Sequence, residues 1–175
     1  MNTLTITKAD LNDLNEYAAS DSLEFDGHIE IEKDLGTVRF RAGLKATGRI
    51  RSHFGSGIKA GEGIKAGSGI KAGWGIEAGS GIKAGWGIEA GWGIEAGWGI
   101  EAGSGIEAGW GIEAGEGIEC KTLAVRLRIF AGLMMWRLPK PEEMEIRCER
   151  LDSGTVAHGT LVIVAPEAKT AEGGK

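Results

Sequence analysis

The apolar positions of this chain recur every six residues over most of its length. From Gly55 to Cys120 the hexapeptide Gly-x-Gly-Ile-(Lys/Glu)-Ala runs for eleven unbroken copies, with Trp, Ser or Glu in the x slot. Ile and Ala lie two residues apart, so on an extended segment both side chains point to one side. The Lys or Glu between them points to the other. Each unit thus has one apolar and one charged face, and it can bury the apolar face only by stacking on its neighbours. Gly-x-Gly supplies a corner, on the expectation that Gly adopts the φ values a sharp bend needs. A helix is excluded, because the period is six rather than 3.6. Two glycines per hexad would also cost a helix about 1 kcal/mol each relative to Ala. The fold class read from the pattern is all-β, a β-solenoid (β-helix) of short strands stacked about 4.8 Å apart.

Imperfect copies carry the period upstream. Leu23-Glu24-Phe25 and Ile29-Glu30-Ile31 are six apart, as are Val38-Arg39-Phe40, Leu44-Lys45-Ala46 and Ile50-Arg51-Ser52. Two extra residues near His53-Phe54 separate Ile50 from Ile58. The solenoid is therefore expected over 23–122. Before it, Thr7-Lys8-Ala9-Asp10 has capping-box form, with Leu11 and Leu14 at helical spacing, which predicts a short helix in an N-terminal cap over 1–22. After Cys120, the alternation of Leu123, Val125, Leu127 and Ile129 predicts a longer strand. Pro139 and Pro141 break the chain. Met144–Cys148 and Leu161–Val164 read as paired strands around Asp152-Ser153-Gly154. This β element, 123–166, would cap the open end of the rod or pair it with another chain. Residues 167–175 read as a polar, frayed tail.

Coil size can be read from the x slots, since like residues tend to stack. Two hexads per coil put Trp74, Trp86, Trp98 and Trp110 in one column and Trp92 in the other. Three hexads put Ser56, Trp74, Trp92 and Trp110 together and mix the remaining slots. Two hexads match in eight of eleven slots against seven. A thin Ile/Ala core also suits a flat two-sided coil, so two hexads are the expectation.

The net charge of −5 conceals four blocks: −7 over 1–32, +7 over 33–83, −7 over 84–120 and +2 over 121–175. Such blocks point to electrostatic contact with a partner or with another copy. The basic set Lys59, Lys65, Lys71, Lys83, Arg39, Arg41, Arg49 and Arg51 could form a stripe for nucleic acid. The acidic blocks beside it make direct nucleic-acid binding the weaker expectation. No apolar run reaches 18 residues, so no membrane span is expected, and the N-terminus lacks a secretory pattern, which points to the cytoplasm. Two cysteines are too few for a disulfide framework. His28, His53 and His158 are scattered without ligand spacing. No Gly-Lys-Ser/Thr follows the glycine pattern to cradle phosphate. The chain reads as a non-enzyme without metal or cofactor.

Two residue sets remain as candidate contact surface. Trp at a glycine corner should project outward, because a thin Ile/Ala core has no room for it, so Trp74, Trp86, Trp92, Trp98 and Trp110 are candidates. The second set is a carboxylate column: Glu89, Glu95, Glu101, Glu107, Glu113 and Glu119. With two or three Glu per coil, the rod would carry about one charge per 1.6–2.4 Å, against about 1.7 Å for duplex DNA.

The Gly-Trp-Gly-Ile-Glu-Ala tandem is followed by Leu127-Arg128-Ile129-Phe130-Ala131-Gly132, Trp136-Arg137 and Gly154-Thr155-Val156-Ala157. Together these resemble a group of phage and prophage hexapeptide-repeat proteins that carry no settled activity, over about residues 23–160. The resemblance implies a phage context, in which small non-catalytic proteins block host defence complexes as anti-CRISPR proteins do. Solenoid DNA mimics of the pentapeptide-repeat type offer a physical parallel for an acidic face. A weaker resemblance is to bactofilins, bacterial β-helices that polymerise end to end. Hexapeptide acyltransferases share only the period. Their aliphatic and small residues are four apart, whereas here Ala follows Ile by two, and the repeats contain no His. Ice-binding solenoids present ranks of Thr, and the eleven repeats contain none. The expected function is therefore an anti-CRISPR-like inhibitor that binds a host protein complex, with a self-assembling, homo-oligomeric rod of bactofilin type as the alternative and a hexapeptide-repeat acyltransferase as a remote one.

Overall fold

A computed structural model describes residues 1–134 and 136–166. The expected tail, 167–175, lies outside the described residues. The chain is an all-β parallel solenoid of about eight turns. Its strands stack in three faces. Face A begins with Thr3–Ile6 and His28–Ile31 and continues through Ile50–Ser52, Ile70–Ala72, Ile88–Ala90 and Gly105–Ala108. Face B holds Gly36–Phe40, Ser56–Ala60, Ile76–Ala78, Ile94–Ala96 and Ile112–Ala114. Face C runs from Leu23–Phe25 through Leu44–Ala46, Ile64–Ala66, Ile82–Ala84, Ile100–Ala102 and Ile118–Glu119 to Glu145–Cys148 and Thr160–Ile163.

The coil holds three hexads, not the two expected. Ile58, Ile76, Ile94 and Ile112 lie in register on successive strands, eighteen residues apart. Three inward isoleucines per turn fill a three-sided core, each about 1% exposed, with the alanines buried beside them. Burying an Ile contributes roughly 1.5–3 kcal/mol, so the core needs no flattening to stay dry. Successive turns are joined by backbone hydrogen bonds. The Ile76 N–H donates to the Gly93 carbonyl at 3.1 Å, and the Gly97 N–H to the Ala78 carbonyl at 2.9 Å.

The corner glycines serve a purpose other than the one expected. Within the repeat block only Gly55 has a positive φ, at 75°, and it sits in the widened corner made by His53-Phe54. Elsewhere the first glycine of each corner is required by close approach. A Cβ on Gly97 would overlap the Gly79 carbonyl oxygen of the preceding turn, whereas one on Gly99 would lie 3.2 Å from the Gly117 oxygen of the next.

Both ends differ from the boundaries expected at 23 and 122. The capping box forms, with Asp10 Oδ2 accepting from the Thr7 N–H and Oγ1 at 2.8 Å each. It opens only one 3-10 turn, Lys8–Asp10, not a helix of several turns. The chain must instead close the first coil. Thr3–Ile6 pairs with His28–Ile31, and Glu16 bridges Arg39 on face B. Downstream, the long strand forms as Thr122–Ala131 but bends across two faces, pairing with Gly105–Ala108 on A and Ile112–Ala114 on B. Leu127 sits at that bend and is 55% exposed, so the expected inward alternation fails there. Glu145–Cys148 and Thr160–Ile163 do pair, in parallel, as successive turns of face C, with Arg150–His158 between them lying over Thr122–Ala131. The solenoid thus runs on through this region. Between turns, the chain makes an excursion pinned by Arg137, whose guanidinium meets Glu143 at 2.5 and 2.9 Å. That pairing, with the Lys140 N–H, holds the Glu143 carboxyl down to about 2. No helix among the described residues is long and apolar enough to cross a membrane.

Candidate binding ridge at one corner

The eighteen-residue phase decides where the indoles fall. At the corner from face A to face B, Trp74, Trp92 and Trp110 occupy the same slot on three successive turns, above Ser56. Their rings stack, with centroids 4.9 Å apart at 7° for Trp74–Trp92 and 5.8 Å at 14° for Trp92–Trp110. Trp92 and Trp110 remain 46% and 56% exposed. Leu127 takes the slot after Trp110, and Phe54 is exposed at the widened corner one turn before Trp74, two residues from the Ser56 slot. Four apolar side chains on consecutive turns, Trp74 to Leu127, span about 14 Å at the inter-strand spacing.

Trp86 and Trp98 do not join this stack. Trp86 lies at the C-to-A corner between Ser68 and Ser104, and Trp98 at the B-to-C corner between Ser80 and Glu116. Both are exposed, at 70% and 53%, and neither has an aromatic neighbour in its column. The expectation that the indoles project outward from the core agrees with the geometry, since the five are exposed or half-buried. The single column of Trp74, Trp86, Trp98 and Trp110 is replaced, because it depended on the two-hexad coil.

The carboxylates are likewise redistributed. Glu89, Glu95 and Glu101 occupy the outward slots of one turn, and Glu107, Glu113 and Glu119 those of the next. They form two stacked rings of three around the rod, not one column. Toward the N-terminus the same slots hold Arg51, Lys59 and Lys65, then Lys71, Glu77 and Lys83. The charge blocks of the sequence thus become a basic girdle followed by an acidic one. Ion pairs stitch the junction: Lys59 with Glu77, Lys71 with Glu89 at 2.5 Å, and Lys83 with Glu101 at 2.6 Å. Exposed pairs of this kind contribute at most about 1 kcal/mol each.

Face B brings the two candidate sets together. Each ridge Trp is three residues before a Glu, so Glu77, Glu95 and Glu113 form a rank beside the indoles. A groove of about 390 Å³ runs between them, with Phe130 at one end. Partial withdrawal from water, then the charges of Glu77 and Glu113, raise the Glu95 pKa, against a smaller opposing effect of Lys59. Face A has a wider groove of about 800 Å³, but Trp86 is the one indole that lines it, and the face C groove of about 650 Å³ has none. Glu77, Phe54, Leu127 and Phe130 were not among the expected contact residues. The eighteen-residue spacing of Glu77 from Glu95 was the signal that could have found the first.

The remaining reactive groups are committed to structure. Arg49 and then His53 hold the Glu30 carboxyl below its usual range, with His53 Nε2 at 3.1 Å. His28 Nδ1 accepts from the Arg49 N–H at 3.0 Å. Cys120 and Cys148 are free, buried in the core of face C. Burial first, then the neighbouring Cys148, pushes the Cys120 thiol up to about 12. Among the described residues, no group of three or more His, Cys, Asp or Glu is placed to hold a metal ion.

Fold and site together define a three-sided parallel β-solenoid with one aromatic ridge flanked by carboxylates. The chain matches no protein-family model, no curated protein and no solved structure.

Proposed function

We propose that this chain is a non-catalytic binding rod that docks a basic macromolecular surface along the face B ridge. The observation that carries the reading is the stacked, exposed indole column beside Glu77, Glu95 and Glu113. Contiguous exposed apolar surface with a polar rim marks contact sites, and Trp is enriched among the residues that dominate binding energy. The carboxylates supply charge complementarity to Lys and Arg, and with it orientation and association rate. The resemblance to phage and prophage proteins supports the finer reading, a cytoplasmic inhibitor that binds a host defence complex in place of its nucleic acid.

Titration with a lysine-rich polypeptide, followed by indole fluorescence, tests the binding reading. Affinity should fall steeply between low and high salt, and should fall again in Trp92→Ser and in the Glu95→Gln, Glu113→Gln double variant. Equal affinity in all three proteins would remove the ridge as the site. The finer reading predicts that expressing the chain in a bacterium with an active CRISPR complex restores phage plaquing. The double variant should restore it less well.

A further inference from the structure

The two ends of the rod are finished differently. At the N-terminal end, Leu11 and Tyr17 pack against the core, and Ile6 in the first strand is fully buried. At the C-terminal end, the last turn is made of Arg150–His158 and Thr160–Ile163. Each pairs on one side only among the described residues, with Thr122–Ala131 and Glu145–Cys148 respectively. Among the described residues their outer edges have no strand partner. The core positions beneath are incompletely covered: Leu151 and Val156 are half-buried, Leu161 is exposed and Ile163 is 57% exposed. An open strand edge over apolar side chains is a template for pairing with another chain.

From this end we infer that the protein forms a two-fold dimer, tail to tail, in which the last turn of one copy pairs with the last turn of a second. Three observations select a second copy as the occupant. The exposed core positions are Leu161 and Ile163, and the same end of a second copy supplies side chains of the same kind to cover them. The last turn, 150–163, holds one Arg and one Asp, which pair with each other, so two like ends meet without repulsion even though the chain carries −5. At the N-terminal end the outer strands Thr3–Ile6 and Leu23–Phe25 also pair on one side only among the described residues, but their inward Ile6 and Leu23 are buried, so apolar contact favours the C-terminal end and a closed pair is the product. This contact is separate from the face B ridge and stands whether or not the ridge binds a basic partner.

Sedimentation velocity of the full chain, at low and high salt, tests the inference. The expected result is a species of twice 18.4 kDa that persists at high salt, because strand pairing and apolar contact hold it. Ile163→Lys should raise the dimer dissociation constant by about tenfold or more with the circular dichroism spectrum unchanged, since residue 163 is already exposed. Trp86→Ser should leave the dimer intact. A monomer at every concentration, as when the chain's own last residues cover the end, would overturn the inference. So would a dimer that survives Ile163→Lys, one that dissociates at high salt and is therefore held by the charge girdles, or growth into longer polymers.

Discussion

The corner between faces A and B and the corners flanking face C are built from the same hexapeptide, the same Ile/Ala core and the same glycine pair. Only one of the three corners carries a stack of indoles. Trp74, Trp92 and Trp110 are in van der Waals sequence there, whereas Trp86 and Trp98 each stand between residues of other types. The repeat itself therefore builds a scaffold with no preferred side. Which side acts is set by the phase of a single variable slot against an eighteen-residue coil.

The largest expected effect probes what the corners share. Ile94→Asp on face B and Ile88→Asp on face A each place a charge among stacked apolar side chains, at a cost of several kcal/mol. Both should abolish the thermal unfolding transition. Survival of either would mean that the two faces do not share one core.

Next in size are the glycines. Gly97→Ala should destabilise by a few kcal/mol, because the Gly79 carbonyl it would strike lies between Ala78 and Ser80, whose carbonyls accept from Gly97 and Trp98 and would be displaced with it. Gly99→Ala meets only a 3.2 Å neighbour and should cost much less. Equal melting temperatures for the two variants would show that corner glycines act through conformational freedom after all.

The comparison sharpens with Trp92→Ser. It removes two ring stacks, each worth about 0.5–1.5 kcal/mol, so urea denaturation should show a loss of roughly 1–3 kcal/mol. Trp86→Ser and Trp98→Ser have no stack to lose and should stay within about 0.5 kcal/mol of the parent. Similar losses in all three would erase the difference between the corners.

The smallest effect is electrostatic. The Glu95 pKa is raised in the fold, so charging it is harder there than in the unfolded chain. Its ionisation therefore weakens the fold as pH rises through the carboxylate range. Glu95→Gln should be slightly more stable than the parent at neutral pH, and the advantage should vanish below about pH 4.5, the ordinary Glu value. A variant less stable at neutral pH would show that Glu95 makes a favourable contact in the fold.

The solenoid was legible because Ile and Ala, two residues apart in every hexad, leave no other way to bury them. Coil size was not, because the x slots of one hexad serve two counting schemes almost equally well. The clue that favours eighteen, Ser56 in line with Trp74, Trp92 and Trp110, is offset by the mixed slots elsewhere, which leave the twelve-residue count ahead by one slot. On the eighteen-residue coil the six Glu form two rings, and Glu77 joins Glu95 and Glu113 as a rank on face B, a grouping that a twelve-residue spacing does not make. The extension of the coil through Thr3–Ile6 and Thr160–Ile163 was hidden because neither segment keeps the glycine corners that marked the rest.

Exciton coupling between indoles in the far-ultraviolet circular dichroism tests the central claim most directly, since it depends on which rings stack. The account predicts a couplet from Trp74, Trp92 and Trp110 that is lost in Trp92→Ser and retained in both Trp86→Ser and Trp98→Ser. A couplet that survives Trp92→Ser but disappears in Trp86→Ser or Trp98→Ser would contradict it, because that is the behaviour of a twelve-residue coil with no single aromatic ridge on face B.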